Sequence, residues 1–102
     1  ANLSERPLEK RTLVTNFEDA NLRKANLTGA NLHMANFTSA YLRETNLTGA
    51  DLSEAVLRNA NLKGAVLIDA NLKGATLEGA KLEEAQFCKT TMPDGAVNNS
   101  GC

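Results

Sequence analysis

Every fifth residue from Phe17 to Phe87 is Leu or Phe, and no regular element keeps such a set on one side. From Thr15 to Lys89 the chain divides without a gap into fifteen five-residue units. The first residue of each is Ala, except Thr15 and Thr45, and the second is usually Asn. On a helix five residues turn about 500°, so successive central residues would sit about 140° apart and circle the axis. On a continuous strand an odd period flips the central residue to the opposite face each time. The chain must therefore turn a corner once per unit. Strand alternation then sends the first and third residues inward and the second and fourth outward, with the fifth at the corner. Composition fits a narrow, uniform core: aromatics are 4% of the chain, there is no Trp, and the apolar content is chiefly Ala and Leu.

The units Ala20-Asn21-Leu22-Arg23-Lys24, Ala25-Asn26-Leu27-Thr28-Gly29 and Ala50-Asp51-Leu52-Ser53-Glu54 resemble the A(D/N)LXX motif of the pentapeptide-repeat family. The resemblance implies an all-β fold, a right-handed quadrilateral β-helix with four units per coil and about four to five coils of 20 residues. Four sides rather than three comes from the resemblance. A 20-residue coil stacks the central residues in columns: Phe17, Phe37, Leu57, Leu77; Leu22, Leu42, Leu62, Leu82; Leu27, Leu47, Leu67, Phe87; and Leu32, Leu52, Leu72, Met92. Phe17 and Phe37 are expected to stack. Gly29, Gly49, Gly64, Gly74 and Gly79 fall at the fifth position, where a type II turn needs positive φ.

Three regions follow. Residues 1–14 keep the spacing at Leu3, Leu8 and Leu13 but slip by one before Phe17, and read as degenerate repeats or an irregular first coil. The chain opens on Ala1, which reads as a processed or trimmed start. Residues 15–94 form the repeat array, and Pro93 with Asp94-Gly95 is expected to stop it. Residues 95–102 are a tail, the C-terminal candidate for covering the unpaired backbone at the solenoid end.

Cys88 sits at an outward fourth position, and Cys102 follows after a loop long enough to double back. The pair reads either as a disulfide that holds the tail or as two free thiols. If bonded, the compartment is expected to be oxidising, a periplasm or thylakoid lumen, with the cytoplasm as the alternative. The family's abundance in cyanobacteria and chloroplast lumens favours the lumen. His33, the one histidine, reads as a solvated surface residue with no paired base in reach. Asn26-Leu27-Thr28, Asn36-Phe37-Thr38 and Asn46-Leu47-Thr48 match the glycosylation sequon and read as by-products of the repeat. No nucleophile elbow and no phosphate loop is present. A solenoid filled with Leu and Ala leaves no pocket, so no enzymatic activity, cofactor or metal is expected.

Net charge is −1, from 11 basic and 12 acidic residues, which gives no reason to expect nucleic acid or anionic membrane. The outward columns are the recognition surface. Arg23, Arg43 and Lys63 recur at the fourth position of one face with Tyr41 beside them, and form the expected interaction face. The sequence thus implies a monomeric structural or protein–protein interaction scaffold whose protein partner is unknown. The alternative comes from the resemblance: some family members resemble B-DNA in shape and charge and inhibit DNA gyrase. A mimic must match one charge per ~1.7 Å of axis. A near-neutral rod of roughly 24 Å at strand spacing does not.

Overall fold

The computed structural model describes residues 15–102. The degenerate coil expected for residues 1–14 lies outside them. Second-position residues pair in parallel with the residue twenty positions on, from Asn16 with Asn36 to Asn71 with Thr91. Each unit closes its own turn. Four corners per twenty-residue coil therefore follow from the pairing register itself.

The backbone N–H groups of an interior unit have a complete set of destinations. The first closes the turn: Ala25 N–H donates to the Leu22 carbonyl at 3.0 Å. The second reaches the preceding coil, as Asn46 to Ala25 at 2.9 Å. The third and fifth reach the following coil, as Leu27 to Asn46 and Gly29 to Thr48, both at 2.8 Å. The fourth has no backbone acceptor, and the second side chain supplies one: Thr28 N–H donates to Asn26 Oδ1 at 3.1 Å. All nine Asn or Asp residues at second positions from 16 to 71 make this bond. The preference for Asn is thus a backbone requirement, one that alternation alone did not reveal.

The corners differ from expectation. Every fifth position from 19 to 89 has positive φ, between 52° and 74°, yet ten of these residues are not glycine. They include Lys24, Met34, Glu44 and Glu54. A left-handed non-glycine residue costs roughly 1–2 kcal/mol. The turn bond and, in the interior coils, the two coil-to-coil bonds beside the corner hold it there. Two of every five residues are spent on the turn, so a coil side pairs one residue at a time. Among the described residues, consecutive strand pairing occurs only between β1 (Thr90–Thr91) and β2 (Val97–Asn98).

The core is the central and first-position set. Phe37, Leu42, Leu47, Leu52 and Leu57 are fully buried, as are Ala35, Ala55, Ala60 and Ala65 between them. Phe17 and Phe37 stack with ring centroids 4.9 Å apart and planes 13° from parallel. Thr45 occupies a first position at zero exposure, its hydroxyl donating to the Leu22 carbonyl at 2.7 Å. Thr90 repeats the arrangement toward Leu67 at 2.6 Å.

At the C-terminal end the chain reverses at Pro93–Gly95 instead of starting another coil. β2 pairs antiparallel with β1, and Met92 N–H donates to the Ala96 carbonyl at 2.8 Å. Lys89 N–H then donates to Asn99 Oδ1 at 2.8 Å, and Gly101 N–H to the Phe87 carbonyl at 2.7 Å. The Cys88 and Cys102 sulfurs lie at bonding distance, 2.02 Å. The tail therefore runs back along the end of the tube over the sides that carry Met92 and Phe87.

Candidate interaction face

Because the interior is filled, outward positions two, four and five carry whatever chemistry the tube has. On the side built on Leu22, Leu42, Leu62 and Leu82, stacking brings the guanidinium-bearing Arg23 and Arg43 onto adjacent coils. With Asn21, Lys24 and Glu44 they line an open concavity of about 460 Å³. Neither arginine has an ion-pair partner among the described residues. Like charges one coil apart repel; Glu44 lines the same concavity but forms no ion pair with either arginine. Tyr41 stands on the same side, 53% exposed, one residue from Leu42. Lys63 continues the column, but its Nζ lies 3.8 Å from Glu84. Of the four residues expected to form this face, Arg23 and Arg43 share the concavity, Tyr41 flanks it, and Lys63 is drawn toward the acidic end.

His33 is not the isolated surface residue that its sequence neighbours suggest. The next coil brings Ser53 and Glu54 to it. His33 Nδ1 lies 2.8 Å from Ser53 Oγ, and Nε2 lies 3.6 Å from Glu54 Oε2. The Ser53 hydroxyl donates to Asp51 Oδ1 at 2.6 Å, so its oxygen accepts from Nδ1–H. The twenty-residue register places Ser53 under His33 and was the signal available in the sequence. These bonds run against nucleophile activation. Ser53 gives its proton to a carboxylate, and His33 donates to the serine oxygen instead of drawing a proton from it. The Ser53 hydroxyl, then its N–H at 3.0 Å, hold the Asp51 carboxyl below its ordinary range, with a smaller contribution from the nearby His33 charge. Among the described residues no three His, Cys, Asp or Glu side chains gather as metal ligands. Nor, among the described residues, is any helix long and apolar enough to cross a membrane.

The three sequons are engaged locally. Thr28, Thr38 and Thr48 each donate both N–H and O–H to the asparagine two residues before, the hydroxyl bonds all at 2.6 Å.

The pentapeptide-repeat profile matches eight copies over residues 15–43, 35–74 and 55–92. The chain belongs to the pentapeptide-repeat family. No curated protein matches it. Among solved structures it is similar to HetL, a pentapeptide-repeat protein involved in heterocyst differentiation regulation from the cyanobacterium Nostoc sp. strain PCC 7120. The two share 36% identity over 91% of this chain, with a TM-score of 0.52. It is also similar to Rfr23 from the cyanobacterium Cyanothece 51142, at 35% identity over 86% of this chain and a TM-score of 0.53. Similarity to alr5209 of Nostoc PCC 7120 is 36% over 72% of this chain, with a TM-score of 0.46. The chain spans 46% of HetL, 64% of alr5209 and 67% of Rfr23.

Proposed function

We propose that this pentapeptide-repeat chain is a non-enzymatic scaffold, wound right-handed like its relatives, that binds a partner protein through Arg23, Arg43 and Tyr41. One observation carries the reading: two arginines on adjacent coils face a shared concavity with no ion-pair partner among the described residues. Holding like charges together on a rigid tube is a cost that an acidic partner would offset, with specificity and association rate as the gain. The filled interior supports the absence of catalysis, because a substrate has nowhere to be enclosed. Tyr41 adds a large amphipathic contact of the kind enriched in interfaces. Lys63 serves the rim, where its pairing with exposed Glu84 leaves it a minor contributor. The Cys88–Cys102 bond fits an oxidising compartment, the thylakoid lumen or a periplasm, and the active unit is a monomer.

The test is affinity capture from the source extract with wild type and an Arg23→Glu/Arg43→Glu variant of unchanged circular dichroism. Wild type should retain an acidic protein that elutes with salt and is missing from the variant. Identical captured sets would remove this face from the function.

A further inference from the structure

Among the described residues, the tail covers half of the tube's C-terminal end. In the interior, third- and fifth-position N–H groups donate forward, as Leu57 and Asn59 do to Thr76 and Glu78. At the end, on the two sides the tail does not reach, the corresponding N–H groups belong to Leu77, Gly79, Leu82 and Glu84. None has an acceptor among the described residues. The Ala75 and Ala80 carbonyls lack donors in the same way. Leu77, Ala80, Leu82 and Ala85 are half-buried, whereas their counterparts one coil earlier, Leu57, Ala60, Leu62 and Ala65, are 0–1% exposed. Four donors, two acceptors and an apolar strip thus form an unpaired edge, a template for an added strand.

The edge also states what would fit it. Its rim carries Glu78, Glu83, Glu84 and Asp94 with Lys81 in the same coil, while Lys63, one coil back, pairs with Glu84 at 3.8 Å and leaves an acidic excess. A second copy meeting it edge to edge would set carboxylates against carboxylates, and an excess of N–H groups against N–H groups. An occupant must bring carbonyl oxygens, apolar side chains for the inward positions and positive charge for the rim. Two sides of five residues each set its length at about ten.

We propose that this bare half-edge docks an extended basic segment of a partner protein, which adds a strand over Leu77 and Leu82 and completes the end that the tail leaves open. The docking is independent of the Arg23–Arg43 face and stands whether or not that face binds.

The experiment is an amide NMR titration of the intact, oxidised protein with an end-blocked decapeptide of alternating Leu and Lys. A Leu/Glu decapeptide serves as the control. The Lys peptide should shift the amides of Leu77, Gly79, Leu82 and Glu84 and slow their hydrogen exchange, leaving Leu52 and Leu57 unmoved. The Glu peptide should have no effect. A Glu78→Lys/Glu83→Lys variant, altered only at exposed side chains, should bind the Lys peptide about tenfold more weakly. No shifts, shifts centred elsewhere, or equal binding of the Glu peptide would overturn the proposal. So would concentration-dependent shifts of the same amides without peptide, which would assign the edge to a second copy.

Discussion

At the scale of the residue, the second position decides more than its exposed setting suggests. Asn61 Oδ1 accepts the Lys63 N–H at 3.1 Å, a group with no backbone acceptor in the coil pattern. Asn61→Ala should cost about 0.5–1.5 kcal/mol, read as a lower denaturation midpoint at unchanged m-value. The reverse experiment is available at Val56, where the Arg58 N–H has no such acceptor among the described residues. Val56→Asn should recover part of that amount. Asp51 adds a pH dependence. Its folded carboxyl titrates below the ordinary value of about 3.9, so the ionised form carries stability that is complete above that value. That stability is lost as pH falls through the folded pKa. Denaturation midpoints from pH 6 to pH 2 should therefore show wild type losing more than Asp51→Asn, with the divergence setting in below about pH 4. The inward Ala and Leu positions were legible from period and alternation. The role of Asn was not, because it depends on which N–H the turn leaves over, and that emerges only when the coils are stacked.

At the scale of the element, the coil is the unit of burial. Leu57 is closed in by a coil on each side, whereas Leu82 has a neighbour on one side only. Leu57→Ala should cost about 2–5 kcal/mol and Leu82→Ala clearly less. Equal losses would mean that the end is covered after all. The tail is an element of another kind. It closes a loop of fourteen residues from Cys88 to Cys102. On the chain-entropy account, opening such a loop costs about 3 kcal/mol. Cys102→Ser should lower stability by that order in non-reducing denaturation, and dithiothreitol should bring wild type down to the variant without changing the variant. The four central columns follow from the spacing once the coil length is supplied, and the Phe17–Phe37 stack is the visible result. The antiparallel return of Val97–Asn98 onto Thr90–Thr91 was not legible. A Pro-Asp-Gly turn announces a reversal but not which edge the chain will meet. The same limit hid the His33–Ser53–Glu54 cluster, in which Ser53 and Glu54 follow His33 by about one coil and meet it only across coils.

At the scale of the whole molecule, the tube is a one-dimensional stack in which each coil leans on its neighbours, so local stability should follow position along the axis. Were the ends alike all round, amide exchange would quicken evenly toward the C-terminus. The tail breaks that symmetry. Met92 and Gly101 N–H are bonded to Ala96 and Phe87, while Leu77, Gly79, Leu82 and Glu84 N–H face outward with no acceptor among the described residues. Native-state hydrogen exchange should therefore divide the last coil into two halves. The four open amides should exchange nearly as fast as unstructured chain. Met92 and Gly101 should be slower, and the interior amides of Leu52, Leu57 and Leu62 slowest. Reduction of the Cys88–Cys102 bond should quicken Met92 and Gly101 and leave Leu77 and Leu82 as they were, because only the tail depends on that bond. Uniform protection around the last coil, or a response to reduction on all four sides, would show that the end behaves as one closed layer. The unpaired edge would then have no separate existence in solution.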